Sequence, residues 1–371
     1  MSVFYNMPTD QAKVPQDPAI EKSQVVHSVR EEISKYLAAQ SHIGQNEVLQ
    51  ELLYHKNIRN RSLSNLKNSF SGKIYITDHI FHAVRHKPPG ADIEFFNMQT
   101  APDKIENSIV ILGNNNVMVG DNNIEKYYAL YQNSPSSIFV IWDFDNHHWI
   151  SLSSVLASSC DLYIPTHLDN LDTLARFNNI MAGPIGAGTI QWPKEFLQEH
   201  LDIIKTAERS NEPLGTHIEY QQFPTRQRIL QTLNKNLNKV KLVDGSYHDR
   251  PMLDRFTEWC SHKSHWVVPV LNDVPIRVFD SLITGGIPII PRSLKYHKDI
   301  INLSDDILFY DYADIQNPHE ITKKANNLFD ERGIQGVLDR HYKVLYNYHV
   351  DNRVESILKA VYDEYGIPGL V

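Results

Sequence analysis

The 371-residue chain is poor in cysteine: Cys160 and Cys260 are its only two, far apart and without metal-ligand spacing. A disulfide framework and a cysteine-bound zinc module are both excluded, and the two thiols read as reduced and buried. No apolar run approaches the roughly 18–20 residues of a membrane span. The opening MSVFYNMPTDQAKVPQDP has neither the basic nor the apolar region of a secretory signal. A cytoplasmic location is therefore expected. Basic charge is also in short supply. Lys and Arg number 36 against 44 Asp and Glu, a net charge of −8. General nucleic-acid binding needs phosphate neutralisation by Lys and Arg, so it is not expected. The 18 histidines contain no HExxH pattern. The glycines Gly183, Gly186 and Gly188 lack the Lys-Ser/Thr that completes a P-loop. Residues 182–193 read instead as interdomain chain.

What is present is an ordinary globular composition, 42% hydrophobic and 22% charged. The length suits two domains. Residues 20–40 and 48–53 carry apolar positions at helical spacing, a helical preface to the rest. It could pack on the first domain, drive self-association or touch a partner. Lys56, Arg59, Arg61 and Lys67 follow it. A solvated face is the preferred reading of this run, with peripheral membrane contact the alternative.

From Lys73 the pattern alternates between strand and helix, which implies a parallel sheet. Strands are expected at 73–77, 93–96, 109–112, 138–142 and 162–165. Gly113 to Asn116 reads as a turn. Helices are expected at 125–131, 151–159 and 194–208. A second set of strands is expected at 214–220, 240–243, 265–270, 287–290 and 307–310. Asp244-Gly245 reads as a turn. Helices at 224–237, at 249–262 and from the Asn272-Asp273 start up to Gly285 separate these strands, and two more, from 318 to 329 and from Gly333 onward, finish the chain.

The most informative stretch is HWVVPVLNDVPIRVFDSLITGGIPIIP, residues 265–291. A β-branched strand leads into Asn272 and Asp273, suited to starting a helix, with Pro275 in its first turn. Gly285 and Gly286 end that helix. In a βαβ unit the first loop faces the carboxyl edge of the sheet, where open α/β sheets bind ligands. Unpaired N–H groups at the helix start are a seat for phosphate, and Arg277 adds charge there. Asp280, one turn on, could accept from ribose hydroxyls; a solvated ion pair with Arg277 is the plainer reading. Asp143, Asp145, His147 and His148 follow a buried strand and occupy the same kind of edge. They supply candidates for a general base, or an N-cap cluster for the next helix.

The run RVFDSLITGGIPII resembles the nucleotide-sugar signature of GT-B glycosyltransferases. The nearest group resembles the spore maturation protein CgeB. IFVIWDFDNHHW (138–149) is similar to that group's strand, acidic residue and nearby Trp. YNYHVDNRVESIL (346–358) is similar to its closing helix, with His349 and Arg353 in comparable places and Val350 where Thr is usual. The resemblance implies an α/β protein of GT-B fold: two Rossmann-like domains facing a cleft, here with an N-terminal helical extension. The boundaries would be 1–68 for the extension, 69–205 for the acceptor domain and 206–345 for the donor domain. Residues 346–371 would form a helix crossing back to the first domain. It further implies sugar transfer from a nucleotide-sugar to the hydroxyl of a glycan, lipid-linked or other acceptor, as in surface polysaccharide synthesis. No cofactor or divalent metal is implied.

The expected donor-binding residues are Gly215, Thr216, Arg226, Asn272, Arg277, Asp280 and Gly285. Asp143, Asp145 and His147 are the expected catalytic residues. Many retaining members carry a Glu eight positions before the residue matched by Asp280; this chain has Asn272, which points to inversion. Two other readings stay open. Asp143-Phe144-Asp145 also spells the DxD metal motif of GT-A enzymes. A non-catalytic α/β ligand-binding or assembly protein is the third.

Overall fold

The computed structural model describes residues 63, 66–77, 92–118, 123–175, 181–220, 222–243, 247 and 249–367. The expected helices at 20–40 and 48–53, with Lys56, Arg59 and Arg61, lie outside the described residues, as does the Asp244-Gly245 turn.

The molecule is a mixed α/β protein. Five strands form the first sheet: β1 (Lys73–Thr77), β2 (Asp92–Phe96), β3 (Ile109–Gly113), β4 (Ile138–Asp143) and β5 (Leu162–Pro165). Every pairing is parallel, in the order β2-β1-β3-β4-β5. β3 and β4 are buried along their whole length, as apolar β-branched runs covered on both faces should be. Helices α1 (Asn123–Asn133) and α2 (Ile150–Ser158) belong to the connections of this sheet.

The later strands are β6 (Gly215–Ile218), β7 (Val240–Val243), β8 (Ser264–Trp266), β9 (Ile287–Pro291) and β10 (Leu308–Tyr310). β6 pairs with β7, while β8, β9 and β10 form a trio. Leu214, just before β6, bridges His265 of β8 in parallel sense. Its N–H donates to Ser264 (3.0 Å), and its carbonyl accepts from Trp266 N (2.8 Å). The lateral order is therefore β7-β6-β8-β9-β10. Both halves thus run second strand, first, third, fourth, fifth. In each, winding reverses between the first and third strands, and the crevice outside the carboxyl ends of such strands is a binding place.

Helices α3 (Pro224–Asn236), α4 (Met252–Cys260) and α5 (Ile276–Ile283) connect the second set. α6 (Pro318–Asn347) is kinked at Gly333, whose φ of 53° and ψ of −152° are non-helical. Helix α7 (Val350–Tyr365) crosses from this half to the first sheet, with Arg353 near its start still paired to Asp299 (3.2 Å). Its Val350, Val354, Ile357, Leu358 and Val361 pack with Ile74, Ile111, Val140 and Trp142 of the first sheet. Each aliphatic side chain so buried contributes about 1.5–3 kcal/mol. Segment 182–193 runs beside the start of α7: Thr189 bridges His349, and His349 Nε2 lies 2.9 Å from the Trp192 carbonyl oxygen.

Some local expectations change. The asparagines after β3 form a helical turn, Asn114–Met118, not a bend. The helix at 194–208 is two, Lys194–Glu199 and Leu201–Thr206, separated by His200. β8 stops at Trp266, three residues before Pro269, which has no N–H for a ladder. α5 begins later than expected, with Pro275 as its N-cap and no side-chain cap. Asn272 and Asp273 therefore do not cap it.

Candidate active site

β4 delivers the chain to Asp143. That carboxylate is 1% exposed; it accepts from Tyr163 Oη (2.6 Å) and from the Asp145 N–H (2.9 Å). Burial raises its pKa. Asp143 is thus an internal anchor for the turn, and it is not displayed beside Asp145 as a DxD metal pair requires. Asp145 is presented instead. Its side chain is 24% exposed and accepts from Asn114 Nδ2 (2.8 Å). Asn114 Oδ1 in turn accepts from the Phe144 N–H (3.2 Å), which fixes the loop.

His148 Nε2 lies 3.8 Å from Asp145 Oδ1, and His148 Nδ1 lies 3.0 Å from His147 Nε2. Burial pushes His148 down to about 4. His147 falls to about 2, through burial first and then the neighbouring His167 and His148. A base with so acidic a conjugate acid takes protons poorly near neutrality. Of the expected catalytic residues, His147 is thus the weaker proton acceptor, and Asp145 is the stronger candidate. None of these four residues caps α2 through a side chain, since its N-cap is Trp149.

His167, after β5, completes this side. Its Nε2 lies 3.1 Å from the Phe144 carbonyl oxygen, and its ring centroid is 4.2 Å from that of His147. Buried Asn146 ties the two loops together. Its Oδ1 accepts from the Thr166 and His167 N–H groups, while Nδ2 donates to the His167 and Asp169 carbonyls. Sequence reading missed His167, Asn114, Asn146 and Tyr163. Only the position of His167 after a strand signalled a role.

The second half supplies cations. Arg226, in the first turn of α3, donates through Nε to Val268 O (3.2 Å) and through Nη1 to Ile218 O (2.9 Å). Burial, and then Arg277, pull its pKa down to about 10. Arg277 is half-buried and donates through Nε to Thr216 O (2.9 Å). Thr216 contributes that carbonyl, and its buried Oγ1 has no partner among the described residues. Fully buried His217 joins β6 to β8: its Nε2 accepts from the Val268 N–H (3.0 Å).

The halves meet at Asp273, on the loop after β8. Ligand atoms of His147, His167 and Asp273 lie within 4.8 Å of one another. His148 and Phe223 are edge to face, with centroids 5.7 Å apart. Burial raises Asp273 to about 7, with Arg226 and Arg277 opposing it. A cavity of about 580 Å³ adjoins this meeting point, lined by Phe223, Arg226, Leu271, Arg292, Tyr310 and Tyr312 among others. Asn272, next to the lining residue Leu271, accepts from Oγ of the lining residue Ser293 (2.7 Å).

Three expected donor residues sit elsewhere. Asp280 is fully buried, with Oδ1 accepting from Thr189 Oγ1 (2.8 Å) and Oδ2 from Gln191 Nε2 (2.5 Å). Gln191 Oε1 accepts in turn from Arg255 Nη1 (2.6 Å). Residues 278–283 of α5 are all buried, so Asp280 meets segment 182–193 and not a ribose. Gly285 caps the far end of α5, about 12 Å along the axis from Arg277. Its carbonyl accepts from Arg340 Nε (3.0 Å) and Nη2 (2.8 Å). Gly215 lies at the start of β6, where an added Cβ would come within 2.9 Å of Val240; it serves strand packing. Among the described residues, no helix is long and apolar enough to cross a membrane. No family model matches the chain, and no curated protein matches it.

Proposed function

We propose that the chain is a glycosyltransferase of GT-B architecture, moving a sugar from a nucleotide-sugar donor to an acceptor hydroxyl. The observation that carries this reading is an arginine- and aromatic-lined cavity at one set of strand ends, beside the place where His147 and His167 of the other set meet Asp273, with Asp145 near enough to Asp273 to help raise its pKa. Tyr312, 74% exposed at the cavity wall, offers a stacking face for a nucleobase. Arg277, the N-terminus of α5 and Arg226 offer positive charge for a diphosphate. That charge also stabilises the departing nucleoside diphosphate, where negative charge grows in the transition state.

Asp145 is the proposed general base. It takes the acceptor hydroxyl proton as the oxygen attacks the anomeric carbon and the sugar–phosphate bond breaks. A separate base and no second donor-side Glu fit inversion. In this reading residues 69–205 form the acceptor domain and 206–345 the donor domain, and the last helix crosses back. The acceptor is a glycan, a lipid-linked sugar or a similar polyhydroxyl compound. The DxD alternative is disfavoured by the burial of Asp143.

The test is a mass-spectrometric screen for nucleoside diphosphate released from a panel of nucleotide-sugars. One donor should be consumed by the wild-type chain and spared by Asp145→Asn. If no donor is consumed and no nucleoside diphosphate raises the melting temperature, the assignment fails.

A further inference from the structure

We propose that His147, His167 and Asp273 bind one divalent transition-metal ion, which ties the loops of the first sheet to the loop after β8. The three residues come from separate loops, after β4, β5 and β8. All are buried, and their ligand atoms lie within 4.8 Å of one another.

Two further observations mark them as more than packed side chains. His147 Nδ1 and Asp273 Oδ1 are buried and have no hydrogen-bond partner among the described residues. Such orphaned atoms are costly unless something meets them. The opposite nitrogens of both rings are already engaged. His167 Nε2 lies 3.1 Å from the Phe144 carbonyl oxygen, and His147 Nε2 lies 3.0 Å from His148 Nδ1. A ring N–H held by an outer acceptor aims the other nitrogen's lone pair, the usual arrangement behind a metal-bound histidine. For His147 the nitrogen left over is the buried, unpartnered Nδ1.

Two imidazoles and one carboxylate suit zinc, cobalt, manganese or ferrous iron. They do not suit magnesium or calcium, which favour all-oxygen shells. Bonds of about 2.0–2.1 Å would place tetrahedral ligand atoms about 3.4 Å apart. Ligand atoms spread over no more than 4.8 Å reach that spacing through side-chain adjustment. Three protein ligands leave a position for water or an oxygen of a bound ligand. The site rests on these side chains alone and is independent of the nucleotide reading.

The test uses the full chain after exhaustive dialysis against chelator, titrated with cobalt(II) alone and, separately, zinc(II) alone. The wild-type chain should bind one ion, give the visible absorption of low-coordinate cobalt, and melt at a higher temperature with zinc. His167→Ala and Asp273→Asn should weaken binding by about 10- to 100-fold or more and lose the cobalt band. Exposed His319→Ala should behave as wild type. Asp273→Asn keeps the side chain's shape, so it reports even if His167→Ala fails to fold. Binding of no ion, or equal binding by wild type and Asp273→Asn, overturns the proposal. Nucleoside diphosphate affinity of the chelated chain is read separately, so either proposal can fail without the other.

Discussion

Arg277 donates through Nε to the carbonyl oxygen of Thr216 at 2.9 Å, joining the start of α5 to the first strand of its own half. That bond fixes the plane of the guanidinium. Among the described residues, nothing accepts from its two terminal nitrogens, which leaves a preset fork for phosphate oxygens. Arg277→Ala should weaken nucleoside diphosphate binding by roughly 10- to 150-fold, the range for losing charge-assisted hydrogen bonds. Arg277→Lys keeps the charge and loses the fork, and should fall between the two. Calorimetric titration of the three proteins checks the order.

Asp145 separates binding from chemistry. Asp145→Asn keeps a partner for Asn114 and removes the proton acceptor. Nucleoside diphosphate affinity should change little, while donor turnover falls by about 10²- to 10⁴-fold. Full turnover in this variant would remove Asp145 as base.

Asp280 gives a stability signature. Burial raises its carboxyl to about 6, against about 3.9 in an unfolded chain. The folded state therefore holds the proton more tightly than the unfolded state. Below about pH 4 both are protonated and the group costs nothing. Between about pH 4 and 6 the cost grows, reaching at most about 3 kcal/mol above that. Asp280→Asn removes this titration and leaves a constant offset, because its amide faces the Gln191 amide. The stability of wild type minus that of the variant should fall from pH 4 to 6 and then level. Denaturant melts across that range measure it, and a flat difference would contradict the buried carboxyl.

Gly285 separates a structural glycine from a ligand-binding one. Its φ is +84°, and the Val337 side chain occupies the space an added Cβ would need. Gly285→Ala should cost at least about 1–2 kcal/mol of stability and leave nucleoside diphosphate affinity unchanged. Chemical denaturation and calorimetry on the same preparation decide it.

Much of the strand pattern was legible because buried parallel strands are written as apolar runs. Ile109–Gly113 and Ile138–Asp143 are buried at every position, and residues 240–243 match the expected strand to the residue. The carboxyl edge of β4 was legible for the same reason, since the polar run begins where the apolar run stops. Asp280 was misread because its helix is buried on nearly every side. Helical spacing gives the direction of a side chain relative to its own axis, and gives nothing about the segment packed against it. Thr189 and Gln191, the residues that meet Asp280, are some ninety positions away. His167 escaped notice, and Asp273 was read only as a helix starter, for a related reason. They gain meaning only when loops from two sheets converge, and neither loop carries a spacing that signals the other.

The most direct measurement of the central claim is a crystal of the chain soaked with a nucleoside diphosphate. The account predicts phosphate oxygens within hydrogen-bonding distance of Arg277 and the first N–H groups of α5, with the base in the cavity walled by Phe223, Tyr310 and Tyr312. A nucleotide bound away from Arg277, or none bound at saturating concentration, would contradict it.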